Sequence, residues 1–176
     1  MSINICGVEY SVNGTIRLDL SRKKLKEIPN NVFDLVNLKT LILICNELTE
    51  ISLNINKLVN LEVLHLSCNE LTEIKDVSSL VKLEILDLYC NELMEIPIDI
   101  NKLVNLEYLD LRYNKITSIP CELCEMKKLV RVDLSGNCIH DDESVKIFEN
   151  LTIKTKFMLY QKKQSIKMLV LPMVII

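Results

Sequence analysis

The apolar positions of this chain return in a 23-residue frame, seen most clearly in Leu38-Lys-Thr-Leu41-Ile-Leu43-Ile-Cys-Asn46-Glu-Leu48. The same frame recurs at Leu61 to Leu71, Leu83 to Leu93 and Leu106 to Ile116. Degraded copies flank it: Leu18, Leu20 and Leu25 come before, with Lys23 in place of Asn, and Leu129, Val132, Leu134, Asn137 and Ile139 come after. The spacings from Leu18 through Leu41, Leu64, Leu86 and Leu109 to Val132 are 23, 23, 22, 23 and 23, so only the unit beginning at Leu61 is one residue short. A period of this length decides the architecture before any single residue does.

Alternation inside each unit, as at Leu41 and Leu43, predicts a short strand with its leucines on one side. Leu38, Leu48, Ile51, Ile55 and Leu58 can point inward from the rest of the coil. One such coil has no core, but coils stacked at roughly 4.8 Å per strand bury each leucine against its counterparts above and below. Where a strand ends, backbone N–H and C=O groups turn inward without ladder partners. Asn46, Asn69, Asn91, Asn114 and Asn137 recur at that corner. An amide side chain both donates and accepts, so a structural Asn ladder is expected there.

Over residues 15–140 this pattern resembles the leucine-rich repeat family. The second half of each unit, with Ile28-Pro29, Ile51, Ile96-Pro97 and Ile119-Pro120 followed four residues on by Val32, Ile55, Ile100 and Leu123, is similar to the intracellular 23-residue subclass found in Ras-pathway scaffolds. The resemblance implies an α/β solenoid of about six repeats: a curved right-handed coil with a parallel sheet on the concave side and short helical or irregular turns on the convex side. It also implies a non-catalytic recognition module or scaffold, since the family includes regulators of small GTPases and phosphatases.

Solenoid ends need covering. Residues 1–14 are expected to form an N-terminal capping strand or hairpin, because Val8 to Leu18 alternates in polarity around Asn13-Gly14. Residues 141–165 are expected to form a C-terminal cap, with Asp141-Asp142-Glu-Ser starting a helix through Val145, Ile147, Phe148 and Leu151. The tail, residues 166–176, is almost wholly apolar yet too short to span a bilayer. It could fold back on the core, dock into a partner or touch a membrane.

Composition removes several function classes. Three glycines and four prolines leave no linker and no phosphate loop. The net charge is −3; the basic clusters Arg22, Lys23, Lys24, Lys26 and Lys154, Lys156, Lys162, Lys163, Lys167 are separated by a glutamate-rich middle. A nucleic-acid surface would need a continuous basic stripe. The seven cysteines follow no secretory segment at the start, which points to reduced thiols and a cytoplasmic location. Abundant Ile, Asn and Lys suit an AT-rich genome such as that of a protist or large DNA virus; in the viral case the chain would act in host cytoplasm.

Cys45, Cys68 and Cys90 sit one coil apart just before the Asn, where a small residue suits a tight turn. Collinear thiols do not match a tetrahedral zinc site, so no metal and no cofactor is expected. Cys121-Glu-Leu-Cys124 falls on the convex side and lacks the strand-to-helix setting of a redox motif. His65 and His140 are the only histidines, and Asp87, Asp110 and Asp133 form a column of exposed acids expected to be solvated or paired with Arg112 and Arg131, so catalysis is not expected.

The concave face reads as columns: Arg17, Thr40, Val63, Ile85, Tyr108, Arg131; Asp19, Ile42, His65, Asp87, Asp110, Asp133; and Ser21, Ile44, Ser67, Tyr89, Arg112, Ser135. Ile42, Ile44, Val63, Ile85, Tyr89 and Tyr108 make an apolar and aromatic patch bordered by His65, Asp87, Asp110, Asp133, Arg112 and Arg131. Such patches mark interfaces, and Tyr and Arg are frequent anchors. The expected function is a monomeric adaptor binding a protein partner on this face. A regulatory subunit docking on a GTPase or phosphatase is the alternative, and a cysteine-based metal or redox protein a third reading.

Overall fold

The computed structural model describes residues 1–140 together with Asp142, Ser144 and Ile147. Leucine packing organises it as a leucine-rich repeat solenoid. After a hairpin of β1 (Ser2–Ile5) and β2 (Val8–Ser11), six three-residue strands follow: β3 (Arg17–Asp19), β4 (Thr40–Ile42), β5 (Val63–His65), β6 (Ile85–Asp87), β7 (Tyr108–Asp110) and β8 (Arg131–Asp133). They pair in sequence order, all parallel, with Leu18, Leu41, Leu64, Leu86, Leu109 and Val132 in register. Each of these middle residues is buried, and Leu20, Leu43, Leu66, Leu88, Leu111 and Leu134 are buried just beyond the strands. The core is therefore a stack of like residues in one cluster.

Returning segments form 3-10 turns at Asn30–Asp34, Leu53–Lys57, Ile98–Lys102 and Cys121–Glu125. Each begins just after the Ile-Pro or Ile-Ser step and buries the apolar residue four positions past the isoleucine. Proline suits that start because it has no N–H to leave unpaired. The short unit differs. Its Ile74 is followed by Val77 after only three residues, and a plain turn replaces the 3-10 turn, held by Asn56 Nδ2 donating to Asp76 O at 3.0 Å and Ser79 N donating to Asn56 Oδ1 at 3.2 Å. A shallow groove of about 340 Å³ lies between Ile74–Asp76 and Pro97–Asp99.

The N-terminal hairpin differs from the sequence expectation. Its turn lies at Cys6-Gly7 (φ 52° and 84°) rather than at Asn13-Gly14, and β1 pairs with β2 from Ser2↔Ser11 to Ile5↔Val8. A two-residue turn of this twist needs positive φ at both centres, and only Gly7 of the two candidate glycines has it. β2 pairs with β1 in a two-stranded sheet separate from the one that β3 begins. Ile5 joins the core, with Ile3 and Tyr10 packed against it, so the hairpin lies against the first coil.

At the other end Asp142, Ser144 and Ile147 are helical, and Ser144 Oγ accepts from Ile119 N at 2.8 Å. Phe148, Leu151 and the apolar tail lie outside the described residues.

Candidate protein-binding face

The corner after each strand sets up the face, and its backbone is left-handed in every unit. Arg22, Cys45, Cys68, Cys90 and Tyr113 have φ between 53° and 58°, and Gly136 has φ 76°. The asparagine next in sequence then bonds the preceding coil. Asn91 Oδ1 accepts from Leu71 N at 3.1 Å, while Nδ2 donates to Leu66 O at 3.0 Å and Leu88 O at 3.1 Å. Asn69 and Asn114 repeat this with Leu48 N and Leu93 N. Asn46 accepts from Lys23 N and Leu25 N, and Asn137 from Ile116 N. Each amide reaches backward along the stack, so the first unit has no preceding coil to join and tolerates Lys23.

The aspartate column has a structural duty that the sequence reading did not find. Asp19, Asp87, Asp110 and Asp133 each accept, through Oδ1, the backbone N–H two residues on, at 2.9 to 3.1 Å. This local bond satisfies a donor where the strand ends. The spacing of Asp to the residue two on was the available signal. Asp110 and Asp133 are only 2% and 1% exposed, so of the two expected states, solvated or paired with arginine, they adopt the second, with Arg112 beside both and Arg131 beside Asp133. Ile42, at 6% exposure, is likewise not a presented side chain: on an inward-curving face, side chains of neighbouring coils converge and cover one another.

Ile44, Val63, His65, Ile85, Asp87, Tyr89, Tyr108 and Arg112 are half-buried, and Arg131 is exposed. Aromatic and cationic groups are locked together at the C-terminal half. The Arg112 guanidinium lies 5.0 Å from the Tyr89 ring centre, and Tyr89 meets Tyr113 edge-on at 5.6 Å. Arg131 lies 5.4 Å from the Tyr108 ring centre. Arg112 Nε and Nη2 also donate to the Asp110 carboxylate at 2.9 and 2.6 Å. That paired carboxylate raises the Arg112 pKa further above its ordinary value, against the effect of burial. Burial, then the nearby Asp110 charge, raises the Tyr108 phenol. Such fork and ring contacts hold side chains that would otherwise lose rotamer freedom on binding.

His65 Nδ1 lies 3.2 Å from Asp87 Oδ2. Burial alone would raise the Asp87 carboxyl, but hydrogen bonds from His65 and the Tyr89 N–H outweigh it and hold it below its ordinary 3.8. A carboxyl depressed on folding stabilises the native state above its unfolded pKa and loses that contribution as pH falls through the folded value. Asp87→Asn is therefore expected to be less stable than the parent at pH 7 and to lose less stability between about pH 5 and pH 2. Urea titrations across that range measure it; parallel pH profiles for both proteins would refute the assignment.

Among the described residues no group of three or more His, Cys, Asp or Glu side chains is arranged to hold a metal. Cys121 and Cys124 sit exposed in the last 3-10 turn. Their thiols are pushed up, the first by its bond to Glu122 and the second by burial. No helix among the described residues is long and apolar enough to cross a membrane.

The geometry defines the class as a repeat solenoid with an open strand face. Residues 81–139 and 60–80 each match a family model described as leucine rich repeat. A solved leucine-rich repeat protein of Leptospira interrogans is 28% identical with a TM-score of 0.67, over 76% of this chain and 36% of that one. The leucine-rich repeat ectodomain of the plant membrane receptor kinase GASSHO1/SCHENGEN3 from Arabidopsis thaliana, in complex with Casparian strip integrity factor 2, is 30% identical with a TM-score of 0.64. That match covers 76% of this chain and 16% of the receptor. The chain thus spans about a third and a sixth of these two neighbours. No curated protein matches it. These likenesses support a leucine-rich repeat family, whose domains generally bind proteins and are typically non-catalytic.

Proposed function

We propose that the chain is a non-catalytic adaptor that seats a protein partner on its strand face. The observation that carries this reading is the pre-ordered cluster of Tyr89, Tyr108, Arg112 and Arg131, continuous with the half-buried Ile44, Val63, His65, Ile85 and Asp87. Tyr and Arg beside apolar neighbours are the usual anchors of an interface. Because backbone hydrogen bonds run from coil to coil, little conformational freedom remains to be lost when a partner binds. Ile42, Asp110 and Asp133 support the face from beneath rather than meeting the partner. Docking on a small GTPase or phosphatase, as the repeat lengths suggest by resemblance, would use the same face. The seven free thiols favour a reducing, cytoplasmic setting.

An Ile44→Asp, Tyr108→Ala double variant tests the reading. Both side chains are partly exposed, so circular dichroism and unfolding midpoint are expected to stay near the parent. Partners recovered with the parent chain are expected to bind the variant about a hundredfold more weakly or worse, as for loss of two anchors. Unchanged partners would move the site to the convex side or the C-terminal tail.

A further inference from the structure

The left-handed corner brings three thiols into one column. Cys45, Cys68 and Cys90 share φ values of 56°, 56° and 54°. The backbone ladder runs through them: Cys45 N donates to Ser67 O at 3.0 Å, Cys68 N to Tyr89 O at 2.8 Å and Cys90 N to Arg112 O at 2.9 Å. A shared conformation on a continuous ladder keeps neighbouring turns near the inter-strand spacing of about 4.8 Å. That lies within the Cα separation of about 4.4–6.8 Å that a disulfide spans. Cys68 stands between the other two along this ladder. Cys45 and Cys90 are exposed, whereas Cys68 is half-buried. Burial first, and then the flanking thiols, push the Cys68 thiol up to about 11, so near neutral pH it keeps its proton. The outer thiols are therefore the ones a dissolved oxidant meets.

We propose that Cys45, Cys68 and Cys90 form a thiol–disulfide exchange site for small disulfides of the glutathione class, with Cys68 closing the bridge to either neighbour. In the first step the thiolate of Cys45 or Cys90 attacks one sulfur of the small disulfide. A mixed disulfide forms, the small molecule's S–S bond breaks, and one thiolate leaves. Cys68 sulfur then attacks the protein-side sulfur of the mixed disulfide, its proton passing to the departing second thiolate. Two protein thiols are oxidised to one disulfide, and one small disulfide is reduced to two thiols. The third column thiol can attack Cys68 in turn, so the bridge can move from one neighbour to the other without further oxidant. An exposed bridge of this kind is open to reduction by the reverse exchange.

The test treats the reduced full chain with oxidised glutathione at pH 8, quenches with acid, and maps disulfides by peptide mass spectrometry. The parent is expected to yield Cys45–Cys68 and Cys68–Cys90 linked peptides with little glutathione on the column. Cys68→Ser is expected to lose both linked peptides and to retain glutathione on Cys45 or Cys90. A Cys45→Ser, Cys90→Ser double variant, which keeps the central thiol, is expected to take up no glutathione at Cys68. Cys121→Ser with Cys124→Ser should leave the column bridge unchanged, and circular dichroism checks that each variant folds. Stable glutathione adducts at Cys45 and Cys90 in the parent, a column that stays reduced, or bridges only to cysteines outside the column would overturn the proposal.

Discussion

Asn91→Ala is expected to lower the unfolding free energy by about 2–4 kcal/mol, because one truncation leaves a buried backbone N–H unpaired and takes one of two donors from each of two buried carbonyls. The Leu71 N–H loses its acceptor, while the Leu66 and Leu88 carbonyls each lose one donor and keep the Asn69 and Asn114 amides. Each buried backbone group left unpaired costs about 1–3 kcal/mol. A domain of this size has only about 5–15 kcal/mol in hand. Asn91→Asp makes the argument specific, since it keeps the acceptor and removes both donors. It is expected to fall well below the parent as well, because its carboxylate faces the Leu66 and Leu88 carbonyls with no N–H to donate, whereas a purely steric account predicts almost no loss for a side chain of nearly the same shape. Equilibrium urea unfolding of the three proteins decides between them: an Asp variant as stable as the parent would refute the donor role of the ladder.

The second large effect is in the strand stack. Leu86 is 1% exposed and packs in register between Leu64 and Leu109. Leu86→Ala should open a cavity that the coils on either side cannot close, because each is tied to its own neighbours by backbone ladder bonds, and a loss of about 3–5 kcal/mol is expected. Ile85→Ala, one residue earlier, changes a side chain that points to the opposite face. It should cost about 1 kcal/mol or less, mostly through strand preference. The contrast between adjacent positions tests the alternation itself. Equal losses at Leu86 and Ile85 would mean that the strand face is packed against something and is not free for a partner.

The two effects have one physical origin. In a solenoid each coil touches only its neighbours, so stability is a sum of coil terms and interface terms. Asn91 and Leu86 both lie in the middle of the stack and act on two interfaces at once. Substitutions at the ends, such as Leu18→Ala, act on fewer like contacts, since Leu18 has an in-register leucine on one side only.

The sequence carried most of this architecture because the repeat states each structural demand several times over. Leucine spacing alone sets which residues share a register, and the strand pairing from Arg17↔Thr40 to Asp110↔Asp133 follows the columns read from that spacing. The asparagine of each unit likewise marks the corner where an amide meets unpaired backbone. Single occurrences were harder. The first hairpin appears once, so nothing in the chain compares its two candidate turns, and the choice of Cys6-Gly7 shows only in the φ values and in the pairing of β1 with β2.

The candidate site was legible in its columns and not in its depth. Alternation told that Ile42, Asp110 and Asp133 leave the sheet on the partner side. It did not tell that convergence of neighbouring coils buries them, nor that the aspartates are occupied by backbone N–H groups two residues on. The same holds for the thiols. Periodicity put Cys45, Cys68 and Cys90 one coil apart, but the positive φ that gives them a common geometry belongs to the folded corner. Period and polarity are properties of the chain, so the sequence by itself determined the coil, its register and its ladder. Exposure, ring stacking and thiol proximity arise only between coils, and the tertiary structure alone decided them.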